Sequence, residues 1–313
     1  MTSRLYMKVN HGMLVTITIV ILGLLMAAPG ALADAKLSVV VTTNIVADTV
    51  RNVVGDAADV VSLMGPGVDP HLYNATQGDL RSLSRADVIF YNGLNLEGKM
   101  GSILDQMGRR IPTFAVTEYM TEDMLLFDSE WGTVDPHVWF DIPLWIKAVE
   151  RVRDAMSEVD PQNAAVYAAN AARFIEELVE LHAEVEAKFA TIAPESRVLV
   201  TAHDAFSYLG ARYGLEVVAL QGMSTDSEYG LADVRALVRL LIERDIHAIF
   251  PETSVSSHGV QAVIEGAKAQ GHTVRRGGEL FSDALGAEGT PGGTYIGMIR
   301  HNVDTIVAAL TEQ

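Results

Sequence analysis

Two segments of the chain echo one another: Val68-Asp69-Pro70-His71-Leu72-Tyr73 and Val134-Asp135-Pro136-His137-Val138-Trp139 both read V-D-P-H-apolar-aromatic. Proline fixes its own φ and pushes the preceding aspartate toward extended backbone, so each histidine sits on a stiff, non-helical corner. Such stiffness suits a metal ligand, and the adjacent aspartate is well placed in sequence to accept the imidazole N–H from outside the coordination shell. One copy alone would be better read as a turn with an exposed histidine; the repetition calls for a further reason. A third histidine, His203, follows on the expected strand Arg197–Thr201. That position is near the carboxyl end of a strand, the edge at which open α/β sheets bind ligands. Asp283, in a glycine-flanked loop before the last helical segment, reads by itself as an ordinary turn or capping acid.

These residues must be positioned by an alternating chain. Lys36–Thr42, Asp59–Leu63, Asp87–Tyr91 and Thr113–Val116 are short β-branched runs separated by helical periodicity, including Asn44–Val54, which predicts a parallel α/β lobe. After Pro194 the alternation resumes: Arg197–Thr201, Glu216–Leu220, His247–Phe250 and His272–Val274 as strands, Ala205–Tyr213, Leu231–Glu243, Val260–Gln270 and Tyr295–Leu310 as helices. Between the two halves, Asp160-Pro161 starts a segment without glycine or proline up to Pro194, predicting one long helix. Its stripe Ala164, Ala168, Ala171, Ile175, Leu178, His182, Val185 and Phe189 alternates steps of four and three, which fits docking on both lobes or a coiled-coil seam. The fold class expected is therefore α/β, two lobes with parallel sheets flanked by helices and joined by one long rigid helix. His182 on the stripe, His247 inside an expected strand, His258 and His272 beside glycines, and His301 in the last helix read as packed or solvated rather than ligating.

The chain of 313 residues carries a net charge of −17 and no cysteine. The charge argues against nucleic acid or an anionic membrane surface as partner. The missing thiol removes disulfide scaffolds, zinc fingers, thiol catalysis and a lipid anchor on an N-terminal cysteine. Residues 1–33 contain Arg4, Lys8, the apolar run Met13–Ala28 and then Ala31-Leu32-Ala33, the three-part pattern of a cleaved secretory signal. The expectation is an exported protein, periplasmic and not lipid-anchored, divided into a signal peptide at 1–33, an N-terminal lobe at 34–159, a linking helix at 160–193 and a C-terminal lobe at 194–313.

Four motifs together, GPGVDPHLYNATQGDL at 65–80, DPHVWFD at 135–141, TAHDAFSYLGARYGLEVVALQGMSTDSE at 201–228 and GGELFSDALG at 277–286, resemble the metal-receptor (cluster A-I) substrate-binding proteins of bacterial ABC importers for manganese, zinc or iron. The likeness spans nearly all of the chain after residue 33, with the motifs in the family's order. It implies one divalent cation held between the lobes, by His71 and His137 from the first and His203 and Asp283 from the second. It also implies a membrane permease as partner; a monomer is expected. Manganese and zinc are both expected cargo, with iron third. Zinc-dedicated relatives often carry a His- and acid-rich loop before the second ligand, whereas Glu118–Pro136 has acids but no histidine, which weakens a zinc-only assignment.

The alternative from another class is a secreted zinc-dependent hydrolase, with three protein ligands and a water. No H-E-x-x-H, G-x-S-x-G or G-x-x-x-x-G-K-[ST] is present. Four protein ligands would leave no place reserved for water. Glu252 and Glu228 are the carboxylates in strand-end loops that could act as a base, or else as capping or supporting acids.

Overall fold

The computed structural model describes residues 1–2, 36–128 and 132–311. The coordinates divide into a unit at residues 1–36 and one at 37–313, and among the described residues every strand and helix lies in the second. The signal-peptide expectation for 1–33 falls almost wholly outside the described residues.

The first half runs β1 (Leu37–Val41), α1 (Asn44–Val54), β2 (Ala58–Ser62), α2 (Gln77–Arg85), β3 (Val88–Tyr91), α3 (Gly101–Gly108) and β4 (Thr113–Ala115), then the two-residue hairpin strands β5 (Phe127–Asp128) and β6 (Thr133–Val134). Strands β1 to β4 form one parallel sheet in the order β2-β1-β3-β4. Side-chain alternation sorts β1 between two cores: Val39 and Val41 face the large central cluster, Val40 the smaller one beneath α2 and α3. The edge strand β2 instead alternates buried and solvated positions. Local chemistry sets the helix starts. Thr43 caps α1 through the Val46 amide, Thr76 and Asp79 form a reciprocal capping box on α2, and Asp141 caps the next long helix with a proline in its first turn.

Two helices come next in succession, α4 (Ile142–Val159) and α5 (Ala164–Phe189). The predicted start of the long helix at Pro161 is corrected: Pro161–Asn163 make a 3₁₀ turn, and Asp160 accepts from Asn163 Nδ2 (2.7 Å) and the Tyr167 hydroxyl (2.6 Å) rather than extending one helix. At 26 residues, α5 is about 39 Å long. Its buried face is Tyr167, Ala171, Phe174, Leu178, Leu181, Val185 and Phe189. Ala168 of the expected stripe is exposed, and Ala164, Ile175 and His182 are only partly covered. Tyr167, Phe174 and Leu181 each bury far more apolar area than the alanines, so bulk sets the rotation of the helix.

The second half runs β7 (Val198–His203), α6 (Ser207–Tyr213), β8 (Glu216–Gln221), α7 (Leu231–Glu243), β9 (Ala248–Ile249), α8 (His258–Ala269), β10 (Arg275–Arg276) and α9 (Tyr295–Thr311). Parallel pairs β7·β8 and β9·β10 are joined by a parallel bridge from Thr201 to Phe250, giving the order β8-β7-β9-β10. The expected strand at His272–Val274 is displaced to Arg275–Arg276, where the chain meets β9. Within β7, Leu199 faces the central core while Val198, Val200 and Ala202 face the cluster under α7 and α8. The central core thus joins residues of α1, α4, α5 and α9 with one face of each sheet. This is the α/β arrangement expected, two parallel sheets flanked by helices and bridged by a long helix. Among the described residues no helix is long and apolar enough to cross a membrane.

Candidate metal centre

All four expected site residues lie at or in the loops beyond the carboxyl ends of strands. His71 is in the loop after β2 and His137 follows β6; His203 ends β7 itself, and Asp283 lies beyond β10. The two halves bring one ligand atom from each to within 4.8 Å of the others, and all four residues are buried.

The repeated Asp-Pro-His has a local cause. In both copies Oδ1 of the aspartate accepts the backbone N–H of the histidine two residues on, 2.8 Å for Asp69 and 2.9 Å for Asp135, an Asx turn pre-set by the proline between them. The copies then diverge. Asp135 Oδ1 also lies 2.7 Å from His137 Nδ1, the supporting role expected of it. Asp69 instead takes the Thr225 hydroxyl at 2.5 Å, tying the first histidine loop to the second half.

His203 is oriented by Glu252, whose Oε1 accepts the backbone N–H of Ala202 and of His203, each at 2.9 Å, while Oε2 faces His203 Nδ1. Glu252 is therefore occupied on both oxygens and is a positioning acid, not a base; Glu228 is exposed and is not among the four converging side chains. Carboxylates hold Nδ1–H on His137 and His203, so Nε2 of each neutral ring carries a lone pair. Those lone pairs point inward. His71 Nε2 is 3.3 Å from His137 Nε2, Asp283 Oδ1 is 3.5 Å from His137 Nε2, and Asp283 Oδ2 is 3.4 Å from His203 Nε2. His203 Nε2 and Asp283 Oδ1 have no hydrogen-bond partner although fully buried. Orphaned buried polar atoms are costly, and four converging donors of this kind are what a cation satisfies. A tetrahedral shell with bonds of about 2.0–2.1 Å has edges of about 3.3–3.4 Å, close to the spacings found here.

The electrostatics reflect position. Burial pushes the His71 imidazole down to about 3. Burial acts the same way on His137, but Asp135 and Asp283 outweigh it and raise the ring to about 9. His203 is raised well above its ordinary value, Glu252 and Asp283 overcoming its burial, and Asp283 is correspondingly held well below the usual carboxylate range by His203 and His137 despite its own burial.

The walls of the centre join both halves. Trp139 Nε1 donates to the Ser282 carbonyl (3.0 Å), the Tyr208 hydroxyl to the Asp135 carbonyl (3.0 Å), and the Tyr295 hydroxyl to the Trp139 carbonyl (2.7 Å). Of the histidines read as non-ligating, His182 pairs through Nδ1 with the Tyr213 hydroxyl at 3.0 Å and His301 with the Glu279 carbonyl at 2.9 Å. His247 and His272 are not simply packed: their rings stack at 4.8 Å beside Asp245.

Known proteins resemble this chain over almost its whole length. It is 51% identical over 281 residues to the manganese-binding lipoprotein MntA of Bacillus subtilis, covering 90% of this chain and 92% of that one. It is 44% identical over 280 residues to the zinc-binding protein TroA of Treponema pallidum, covering 90% and 91%. The solved structure of the periplasmic zinc-binding protein TroA superposes with a TM-score of 0.86 at 43% identity, over 88% of this chain and 99% of that one. These comparisons correct one expectation. Relatives from Bacillus and from streptococci, the latter named ABC transporter substrate-binding proteins, are lipoproteins, so the periplasmic, not lipid-anchored state read from the sequence is withdrawn. It rested on an absent cysteine, which bears on one attachment chemistry only. Residues 39–309 match the model of the ZnuA family, the periplasmic component A of the zinc-uptake complex, and the chain belongs to that family.

Proposed function

We propose that the chain captures one divalent cation, manganese or zinc, on His71, His137, His203 and Asp283, and delivers it to the membrane permease of an ABC importer. Family membership makes it a metal-binding substrate-binding protein and not an enzyme. The observation that carries the ligand assignment is the convergence of imidazole lone pairs on both oxygens of Asp283, with His203 Nε2 and Asp283 Oδ1 left unpaired in a buried site. In this reading the segments 34–159 and 194–313 act as lobes supplying two ligands each, and 160–193 keeps their spacing. One chain provides every ligand, so a monomer suffices.

The same geometry bears on the metal. Asp283 turns Oδ1 toward His137 and Oδ2 toward His203, so a bidentate carboxylate would give five donors, a shell that suits manganese, whereas four satisfy zinc. Relatives named for each metal stand close to this chain, and iron is the third choice. A hydrolytic reading lacks support: the carboxylate nearest His203, Glu252, is committed to that ring and two backbone amides. Metal analysis of protein purified from the exported fraction without added metal tests the proposal. One equivalent of manganese or zinc per chain is expected; no bound metal, or two tight equivalents, would contradict it.

A further inference from the structure

We propose that Asp245, His247 and His272 form a second cation site at the protein surface, weaker than the buried centre and selective for zinc over manganese. The two histidines are 25 residues apart; His247 directly precedes β9 and His272 lies three residues before its parallel neighbour β10. The buried ligands His203 and Asp283 lie at and beyond the carboxyl ends of the same sheet, so the two sites are distinct. Asp245 sits in the turn after α7 with φ +53°, a left-handed conformation that aspartate, like asparagine, adopts more readily than most side chains.

The tautomers decide the chemistry. His247 Nδ1 faces the Thr273 carbonyl at 2.8 Å, and His272 Nε2 faces the Ile246 carbonyl at 2.8 Å. A carbonyl oxygen only accepts, so each of those nitrogens carries the proton. The opposite nitrogens, His247 Nε2 and His272 Nδ1, are left with lone pairs in the neutral rings, and both face Asp245 Oδ1, at 3.1 and 4.0 Å. Lone pairs converging on a carboxylate oxygen need a cation among them. Fixing the far N–H on a backbone carbonyl is how metal-ligating histidines are commonly oriented. The stacked rings, 4.8 Å between centroids, hold this geometry, and Asp245 remains open to solvent. Two imidazoles, one carboxylate and water on the open side suit zinc, which by the intrinsic affinity order outbinds manganese at nitrogen-rich sites.

The test is calorimetric titration of the full chain with zinc near pH 7.5. Two successive phases are expected, the second lost in His247→Ala and in Asp245→Asn, the latter preserving side-chain shape, and retained in His258→Ala. The first phase should be unchanged in all three, so failure of this site is distinguishable from failure of the buried one. Manganese should give one phase. The proposal is overturned by a single zinc phase in the wild type, by a second phase that persists in both His247→Ala and Asp245→Asn, or by manganese filling the second site as tightly as zinc.

Discussion

Protons and metal compete for the same lone pairs, and the structure says how many protons are involved. In the metal-free centre His137 is raised to about 9 and His203 well above its ordinary value, while burial keeps His71 at about 3. Near neutral pH two of the three rings therefore carry a second proton and the third does not. A divalent cation replaces these two protons and leaves the charge of the buried site unchanged, which avoids the penalty of adding net charge to a low-dielectric interior. Both groups have raised values without metal and are held deprotonated by it, so affinity rises with pH up to about 9 and is lost as pH falls. Each displaced proton changes the dissociation constant about tenfold per pH unit, so two give about a hundredfold, or roughly 2.7 kcal/mol per unit between about pH 6 and 8. Calorimetry in buffers of differing ionisation enthalpy counts the protons directly. About two per metal ion are expected near pH 7; none would refute the claim that carboxylates hold His137 and His203 protonated, and three would mean that burial fails to keep His71 neutral.

The same contacts set further outcomes. Glu252→Gln should retain the two backbone hydrogen bonds through its carbonyl oxygen but present an N–H to His203 Nδ1. That forces the proton onto Nε2 and should weaken metal binding about 10–100-fold in a direct titration, and the metal-free protein should melt lower because the buried His203–Glu252 ion pair is lost. His203→Ala should abolish the metal-dependent gain in thermal stability, which for one site reaches about 2.7 kcal/mol at a hundredfold excess over the dissociation constant, whereas His182→Ala, which removes contacts to Tyr213 and Glu186, should keep it. A full shift in His203→Ala, read by thermal melting with and without metal, would remove that residue from the site.

Much of the centre was legible in the sequence where its determinants are local. The Asp-Pro-His corners build their own Asx turns, so their stiffness could be read from six residues. His203 could be placed at a strand end because β7 opens on the run Val198-Leu199-Val200-Thr201, apolar and mostly β-branched. What depends on tertiary pairing could not be read. Asp283 gains its role only where the turn beyond β10 meets His137 and His203. Asp69 and Asp135, identical in sequence context, take different partners because Thr225 approaches one and the His137 ring the other. His247 and His272 looked unremarkable for the same reason: parallel strand pairing, not spacing, stacks them. In the long helix, period alone did not fix which face is buried; the bulk of Tyr167, Phe174 and Leu181 did.

The central claim is that one cation is held by His71, His137, His203 and Asp283. Anomalous diffraction from crystals grown with one equivalent of manganese or zinc, recorded on both sides of the metal edge, tests it most directly. A single strong peak is expected about 2.0–2.3 Å from the three Nε2 atoms and at least one Asp283 oxygen. A principal peak away from these four side chains, or one in contact with fewer than three of them, would contradict it.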